Sequence, residues 1–471
     1  MIIIDINNNK CTLRWDYDDQ GTVNDLHKSF KIRHPNAFYI RRGSRVNWDG
    51  YVQYITSNGS FLTGLLPQVV RYLTENSIKF KIKDYRKPVM TEKVPKSYMG
   101  FEFRDYQYET VKRVVKSKVA GIPFHRGVIN EAMNAGKTLI MIGIYLSFRD
   151  CDCIILLNDS NLFDQFKVDM PKFFTNSEWG YLRGKEFREG NIMICMAQTL
   201  IRRVDSFDFS RYKMVLVDEC DLSDNSTYKS ILTKLHNTSV RVGLSGTVFL
   251  SKLAKDKIKT QNIKGFFGDE LIQVKSIELM KKGYSTPIKI LINMGNTLNV
   301  DDLDYNAEYE RGITKNGHRT KVALKRVFNY LDQGKYPILV ITKYHNHVDR
   351  IFRIFSRHIP NKWVMKKVHH KTKDRKSIIQ DFKNGKIDIL VSSYFIKRGQ
   401  NMPLIQVIIN LGGGLGPEGP LQVIGRGVRK HKSKEIFYYE DFFDEGRHLR
   451  IHSKRRIVYY KNEGFEVTQL N

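Results

Sequence analysis

The sequence predicts an α/β fold, with two parallel-sheet units in tandem preceded by a small α+β N-terminal domain. Three observations carry this. From about Phe101 onward, short β-rich apolar runs alternate with helical stretches. Runs that are apolar at successive positions are what a sheet covered by helices on both faces requires. The chain has 471 residues, too many for one compact core. Residues 1 to about 96 differ in texture, with turns, Asn-rich stretches and short strands.

Taken in order, Met1-Ile-Ile-Ile-Asp5 is too short for a signal segment and reads as a first strand. A helix over 66–76 has Pro67 near its first turn, where proline is tolerated. A basic connector, 79–96, leads into the first unit, 97–284. There, strands are predicted at 127–130, 153–157, 192–196, 214–217 and 240–244. A helix over 137–148 is apolar nearly all round and should lie buried against that sheet. Gly283 and Pro287 mark the break before the second unit, 285–471. Its predicted strands are 288–293, 337–342, 363–368, 387–392 and 407–411. The end of the chain, from Gly446, is rich in Arg, Lys, His and Tyr and is expected to pack on this unit.

The 78 basic residues against 49 acidic leave a net charge of +29, spread along the whole chain. That implies a polyanionic partner, with nucleic acid favoured. A membrane-surface role lacks its usual sign, a basic amphipathic helix beside an apolar anchor. No apolar run approaches a membrane span. The five cysteines are scattered, with no paired C-x-x-C units, so buried thiols in a reducing cytosol are expected and zinc is not. The expected location is the cytoplasm.

Two motifs carry the chemistry. Asn130-Glu-Ala-Met-Asn-Ala-Gly-Lys-Thr138 reads as a phosphate-cradling loop before a helix. Backbone N–H groups of Asn134, Ala135 and Gly136 wrap a polyphosphate, Lys137 reaches the β/γ-phosphates, and the Thr138 hydroxyl can ligand Mg²⁺. Glu131 stands where the full G-x-x-x-x-G-K-[ST] pattern has its first glycine. Val217-Asp-Glu-Cys-Asp221 ends an apolar strand in adjacent carboxylates. Asp218 can hold the metal, and Glu219 can orient or deprotonate the attacking water. Together the motifs predict ATP hydrolysis.

Further pieces follow in a fixed order and resemble superfamily 2 helicases over roughly 101–432. Arg104-Asp-Tyr-Gln107 resembles the family's adenine-reading element, which places Arg104, Tyr106 and Gln107 at the cofactor. Gln165, in the segment after the 153–157 strand, and Gln198 and Thr199 in Met196-Ala-Gln-Thr199, look like strand-end DNA contacts. Leu244-Ser-Gly-Thr247 resembles the coupling motif, so Ser245 and Thr247 would link the Asp-Glu motif to the DNA path. In the second unit, the segment 392–403 looks like the motif that touches both ATP and DNA, with Ser393 at the DNA and Gly399 at the nucleotide. Asn401 stands there where many members carry Asp. Gln422-Val-Ile-Gly-Arg-Gly-Val-Arg429 would put Gln422 at the nucleotide. Its Arg426 and Arg429, three apart, are read as sharing one helical face, and the resemblance makes them arginine fingers. The family reading also gives His370 a DNA-backbone contact.

A narrower resemblance is to UvsW-type phage branch-migration helicases. It rests on Asn47-Trp-Asp-Gly50, Gly64-Leu-Leu-Pro67, Gly265-Phe-Phe-Gly268 and Ser276-Ile-Glu-Leu-Met280. The Asp-Glu-Cys core matches too, although this chain closes the motif with Asp221 where UvsW-type proteins have His. The resemblance implies two RecA-like motor domains, ATP and Mg²⁺ as cofactors, and branched DNA (Holliday junctions, displacement loops, forks) as substrate, in phage recombination, replication or repair. In the N-terminal domain, Arg41, Arg42 and Arg45 are candidates for phosphate contact. Trp48 reads as a core anchor. An RNA helicase uses the same motor parts and is the alternative. A nucleotide-gated binding protein is another, and a restriction-nuclease motor subunit would need its nuclease on a partner.

Overall fold

The computed structural model describes residues 1–43, 48–132, 134–246, 248, 254–295, 304–394, 402–414 and 418–470, without the side chains of 41–43, 254, 255 and 418. The chain divides into two compact units, Met1–Glu131 with Gly136–Gln273, and Ala132–Ala135 with Val274–Asn471. The passage from one to the other falls at Gln273/Val274, ahead of the Gly- and Pro-containing stretch 281–287.

The first unit begins with a four-stranded sheet of β1 (Ile2–Ile6), β2 (Lys10–Arg14), β3 (Ser60–Leu62) and β4 (Phe80–Asp84), in the order β3-β2-β1-β4. Ile2, Ile4 and Ile6 of β1 point one way by strand alternation and bury against α1 (Gln20–Ser29) and α2 (Leu66–Glu75). β4 corrects the reading of 79–96 as a connector. Its Lys81 and Lys83 alternate with Phe80 and Ile82, so a half-covered strand is disguised by its charged face. It pairs in parallel with β1.

The same unit carries an eight-stranded sheet. Its strands are β5 (Arg126–Glu131), β6 (Asp152–Leu157), β7 (Trp179–Arg183), β8 (Glu186–Arg188), β9 (Ile192–Met196), β10 (Tyr212–Asp218), β11 (Val240–Ser245) and β12 (Glu270–Val274). Their order is β8-β7-β9-β6-β10-β11-β5-β12. β5 through β11 pair in parallel except for the β7–β8 hairpin. All six residues of β5 are buried, which explains why no polar alternation is visible there. Helices α3 (Asp105–Lys116), α4 (Lys137–Leu146), α5 (Ser160–Asp169), α6 (Ser226–Lys234) and α7 (Ala254–Phe267) cover the sheet. The predicted apolar helix is α4, and Ile140, Met141, Ile142 and Ile144 bury as expected. Gly143 lets α3 approach it, since a Cβ there would lie 2.9 Å from Val111.

The second unit holds a wholly parallel seven-stranded sheet. It comprises β13 (Ile288–Met294), β14 (Ile338–Thr342), β15 (Met365–Val368), β16 (Ile389–Ser393), β17 (Val407–Asn410), β18 (Phe437–Phe443) and β19 (Glu466–Leu470), ordered β15-β16-β14-β17-β18-β13-β19. Its helices include α8 (Gly317–Asp332), α9 (His345–Phe355), α10 (Arg375–Lys383), α11 (Glu418–Gly427) and α12 (Arg447–Asn462). The basic C-terminal segment does pack on this unit, as α12 and the edge strand β19. Arg319 of α8 and Arg456 of α12 are buried and pin those helices to the end of β18. Arg319 Nε lies 2.8 Å from Asp444 Oδ1, and Arg456 Nε lies 2.8 Å from Asp441 Oδ2.

Candidate active site

β5 delivers Glu131 at the carboxyl end of the first motor sheet, and the chain then turns sharply into α4. Asn134 (φ 72°) and Gly136 (φ 79°) both take left-handed backbone conformations there. Glycine adopts that region without steric cost, and asparagine tolerates it better than most residues. The Gln107 side chain also closes over Gly136, where a Cβ would lie 2.4 Å from its Nε2. Gln107 is buried at the start of α3, where its Oε1 accepts the Arg104 N–H at 3.0 Å. Arg104 Nη1 donates to the Tyr106 hydroxyl at 3.1 Å. The three residues of the proposed adenine element thus form one hydrogen-bonded group against the loop.

Lys137 is the first residue of α4, with Thr138 next to it. Lys137 Nζ lies 3.6 Å from Asp218 Oδ1, an ion pair too long for a hydrogen bond. Asp218 ends β10, two strands along from β5 in the sheet. Burial works against the Lys137 ammonium, but Asp218, then Glu219, Glu131 and Asp221, hold its pKa above the usual lysine value. Glu219 follows in a left-handed conformation (φ 52°, ψ 50°), which turns the chain at the strand end. Ser245, at the end of β11, donates to Asp221 Oδ1 at 2.8 Å. Its partner in the coupling motif, Thr247, lies outside the described residues.

Asp218 Oδ1 is buried and accepts no hydrogen bond. A carboxylate oxygen at a strand end that has only the Lys137 ion pair and no hydrogen bond, with a hydroxyl on α4, is a donor set suited to a hard divalent cation. The residues therefore fit Mg²⁺. Sequence reasoning noticed Glu131 only as a departure from the glycine pattern. It is fully buried, accepts from Thr110 Oγ1 at 3.2 Å through Oε1, and leaves Oε2 without a partner. Burial pushes its carboxyl up to about 8, against the pull of Lys137 and Thr110.

In the second unit Arg426 is buried on α11, and Gln422 is half-buried on the same helix. Arg429 is not on that helix, which ends at Gly427, so the reading of one shared helical face is corrected. Gly427 carries no side chain because the Phe437 ring occupies that space, with Cζ 2.0 Å from where a Cβ would stand. The two guanidinia still share a neighbourhood: burial, then Arg426 and Arg429, lower the pKa of Lys383 on α10. Lys434 was missed. Its buried ammonium donates to the Pro403 and Ile405 carbonyls at 2.9 and 3.0 Å, and burial lowers its pKa to about 7.

The expected nucleic-acid contacts are less gathered. Gln165 and Gln198 are exposed, while Thr199 Oγ1 accepts the Gly184 N–H at 2.9 Å. Ser393 is buried at the end of β16, and His370 is exposed beside His345 and His369, with ring centroids 5.1 and 6.0 Å away. Arg45 and Gly399 lie outside the described residues, as do the side chains of Arg41 and Arg42. Trp48 is half-buried rather than a core anchor, and its Nε1 donates to the Tyr51 carbonyl at 2.8 Å. All five cysteines are buried.

Two family models match the chain. "Type III restriction enzyme, res subunit" covers residues 100–250, and "Helicase conserved C-terminal domain" covers residues 321–431. The first spans the phosphate loop and the Asp218–Glu219 pair, and the second spans Arg426 and Arg429. The chain is a superfamily 2 helicase. This helicase is 24% identical over 456 residues to the ATP-dependent DNA helicase UvsW of Enterobacteria phage T4, an alignment covering 90% of this chain and 88% of that one. It is 23% identical over 425 residues to the DNA 3'-5' translocase XPB2 of Sulfurisphaera tokodaii, covering 81% of this chain and 93% of the relative. Among solved structures, Saccharomyces cerevisiae Dbp5 bound to RNA and ADP-BeF3 shares the fold, with a TM-score of 0.53 at 14% identity over 79% of this chain and 90% of that one. The helicase hydrolyses ATP and acts on nucleic acid. Among its described residues no helix is long and apolar enough to cross a membrane.

Proposed function

We propose that this helicase is a DNA translocase that remodels branched DNA, such as Holliday junctions, displacement loops and forks, in recombination, replication or repair. The observation that carries the DNA reading is the extent of the similarity to phage T4 UvsW. It runs over 90% of the chain and so takes in the N-terminal region as well as the motor. A phage-encoded protein of this kind would work in the host cytoplasm.

In the proposed mechanism the backbone amides of Asn134, Ala135 and Gly136 hold the phosphates, and Lys137 leaves Asp218 to reach the β- and γ-oxygens. Thr138 and Asp218 hold Mg²⁺, which when bound supplies positive charge against the phosphate oxygens. Glu219 orients the attacking water at the γ-phosphorus and takes up its proton. Arg426 and Arg429 neutralise charge that develops on the γ-phosphoryl group, an effect worth on the order of 10³–10⁵ in rate. Arg104, Tyr106 and Gln107 seat the base. Ser245 passes the state of the Asp-Glu motif to the DNA grip through Asp221. Gln165, Gln198, Thr199, Ser393 and His370 contribute to that grip.

ATP turnover with a four-way junction, linear duplex, single-stranded DNA or RNA tests the proposal. The expected result is strongest stimulation by the junction. In the same assay Lys137→Ala should lose turnover and keep DNA binding. Stimulation by RNA alone would replace the DNA reading with that of an RNA helicase, and turnover retained in Lys137→Ala would sink the site assignment.

A further inference from the structure

A cavity of about 790 Å³ lies within the first unit, between the N-terminal sheet and the amino ends of β5 and β11. Arg126 opens β5 here, whereas the other end of the same strand leads into the phosphate loop. The cavity is therefore at the opposite end of the motor strands from the phosphate loop.

Its lining is one-sided in charge. Lys10, Arg86, Lys87, Arg126, Lys213 and Arg241 all face it, and none of its described lining residues is Asp or Glu. Arg126 and Arg241 are each only 1% exposed. They are held by carbonyl groups rather than carboxylates. Arg126 Nη2 donates to the Thr238 carbonyl at 3.0 Å and to that of Asn8, and Arg241 Nη1 donates to the Leu232 carbonyl at 3.1 Å. Carbonyl dipoles fix a guanidinium in place but leave its full charge uncancelled. Arg126 Nε is buried with no acceptor at all. Arg86 is paired with Asp84 at 2.7 Å, and Arg211, also at the rim, is turned to Asp152 and Glu189. Burial, followed by Arg241 and Arg86, pushes the Arg126 pKa well below its ordinary value, against a smaller pull from Cys11 and Asp84, the direction expected where cations crowd a buried site. Desolvated charge without a counter-charge is costly, and a multiply charged anion with several oxygens would satisfy both the charge and the open donor. Asn7, Asn237 and Ser239 add neutral hydrogen-bonding groups around the same space.

We propose that this cavity is a second phosphate-binding site of the helicase. Its ligand is either a backbone phosphate of nucleic acid or a free inorganic polyphosphate. The site is tested with full-length protein in which two rim lysines are reversed, Lys10→Glu with Lys87→Glu. A control with the same net charge reverses two exposed lysines of the second unit, Lys321→Glu with Lys454→Glu. Pyrophosphate binding is measured calorimetrically with ADP saturating the nucleotide loop, and duplex DNA affinity is measured by anisotropy across a salt series. The rim pair should weaken at least one of the two ligands about tenfold relative to the control pair, with the DNA salt slope falling if backbone phosphate is bound. Nucleic-acid-independent ATP turnover and thermal midpoint should match wild type in both variants. Loss confined to DNA identifies backbone phosphate as the ligand, and loss confined to pyrophosphate identifies the free anion. Equal affinities of the two double variants for both ligands overturn the proposal.

Discussion

Glu131 is the residue at which the phosphate loop departs most from a glycine-rich pattern, and its setting has a measurable consequence. Below its ordinary value of 4.5 the carboxyl is protonated in folded and unfolded chains alike. Between there and about 8 the unfolded chain releases the proton while the folded chain keeps it, so folding stability falls as pH rises through that window. Glu131→Gln should flatten the slope between pH 5 and 8 and gain on the order of 1 kcal/mol or more at the upper end. Urea unfolding of the nucleotide-free protein across pH checks this, and parallel curves for the two proteins would reject it. The substitution was legible in the sequence as a missing glycine. Its burial was not, because that depends on Thr110 of α3 packing over β5. Lys137, Asp218 and Glu219 were legible because a motif fixes their spacing, whereas Lys434 acts through carbonyls that any residue type could supply.

At the level of elements, the second sheet is closed by pieces with little pattern of their own. The basic segment from Gly446 was expected to pack on this unit, but nothing in its sequence marks which of its cations is buried: Arg456 of α12 serves both Asp441 and Asp444, at 2.8 and 3.7 Å. Removing one partner of such a network leaves buried carboxylates uncompensated, which typically costs about 3–5 kcal/mol. Arg456→Ala should therefore lower the urea midpoint of the second unit sharply, and Arg455→Ala on the same helix should not. Equal midpoints for the two variants would show that the network is not holding α12. β5, β6, β9, β10, β11, β14, β16 and β17 were legible because each is apolar at successive positions. β7, β8, β12 and β18 were not predicted, and β18 hides Glu440 and Asp441 inside an otherwise aromatic, buried run. β4 and β19 were not, since their Lys, Glu and Gln positions hide a period of two. The helical reading of 422–429 failed at its end because Gly427 is set by the Phe437 ring, a contact distant in sequence.

For the molecule as a whole, the tandem of parallel sheets followed from length and alternation, but the attachment of the N-terminal sheet did not. Asn8 supplies a carbonyl to Arg126, Asn9 accepts from Arg241, and Arg71 pairs with Asp269 at 2.9 Å. Gly64 lies so close to α7 that a Cβ would fall 2.1 Å from the Lys264 carbonyl oxygen. In sequence these look like ordinary asparagines, cations and a turn glycine, which is why a detachable domain is the natural first reading. A chain lacking residues 1–96 should consequently lose motor stability, seen as a lower thermal midpoint and weaker nucleotide-dependent stabilisation. If the truncated protein melts like the full chain and keeps its ATP turnover, the N-terminal sheet is separable after all.

The left-handed backbone of Glu219 sets thermal robustness and turnover against each other at one position. A side chain there costs roughly 1 kcal/mol relative to glycine. Glu219→Gly should be more stable than Glu219→Ala by about 1 kcal/mol and so melt higher, though both would be inactive, and matched melting curves would dispose of the idea. A thermostability screen blind to ATP turnover would then tend to enrich dead enzymes at this codon. Improving this protein for heat would require the two properties to be selected together.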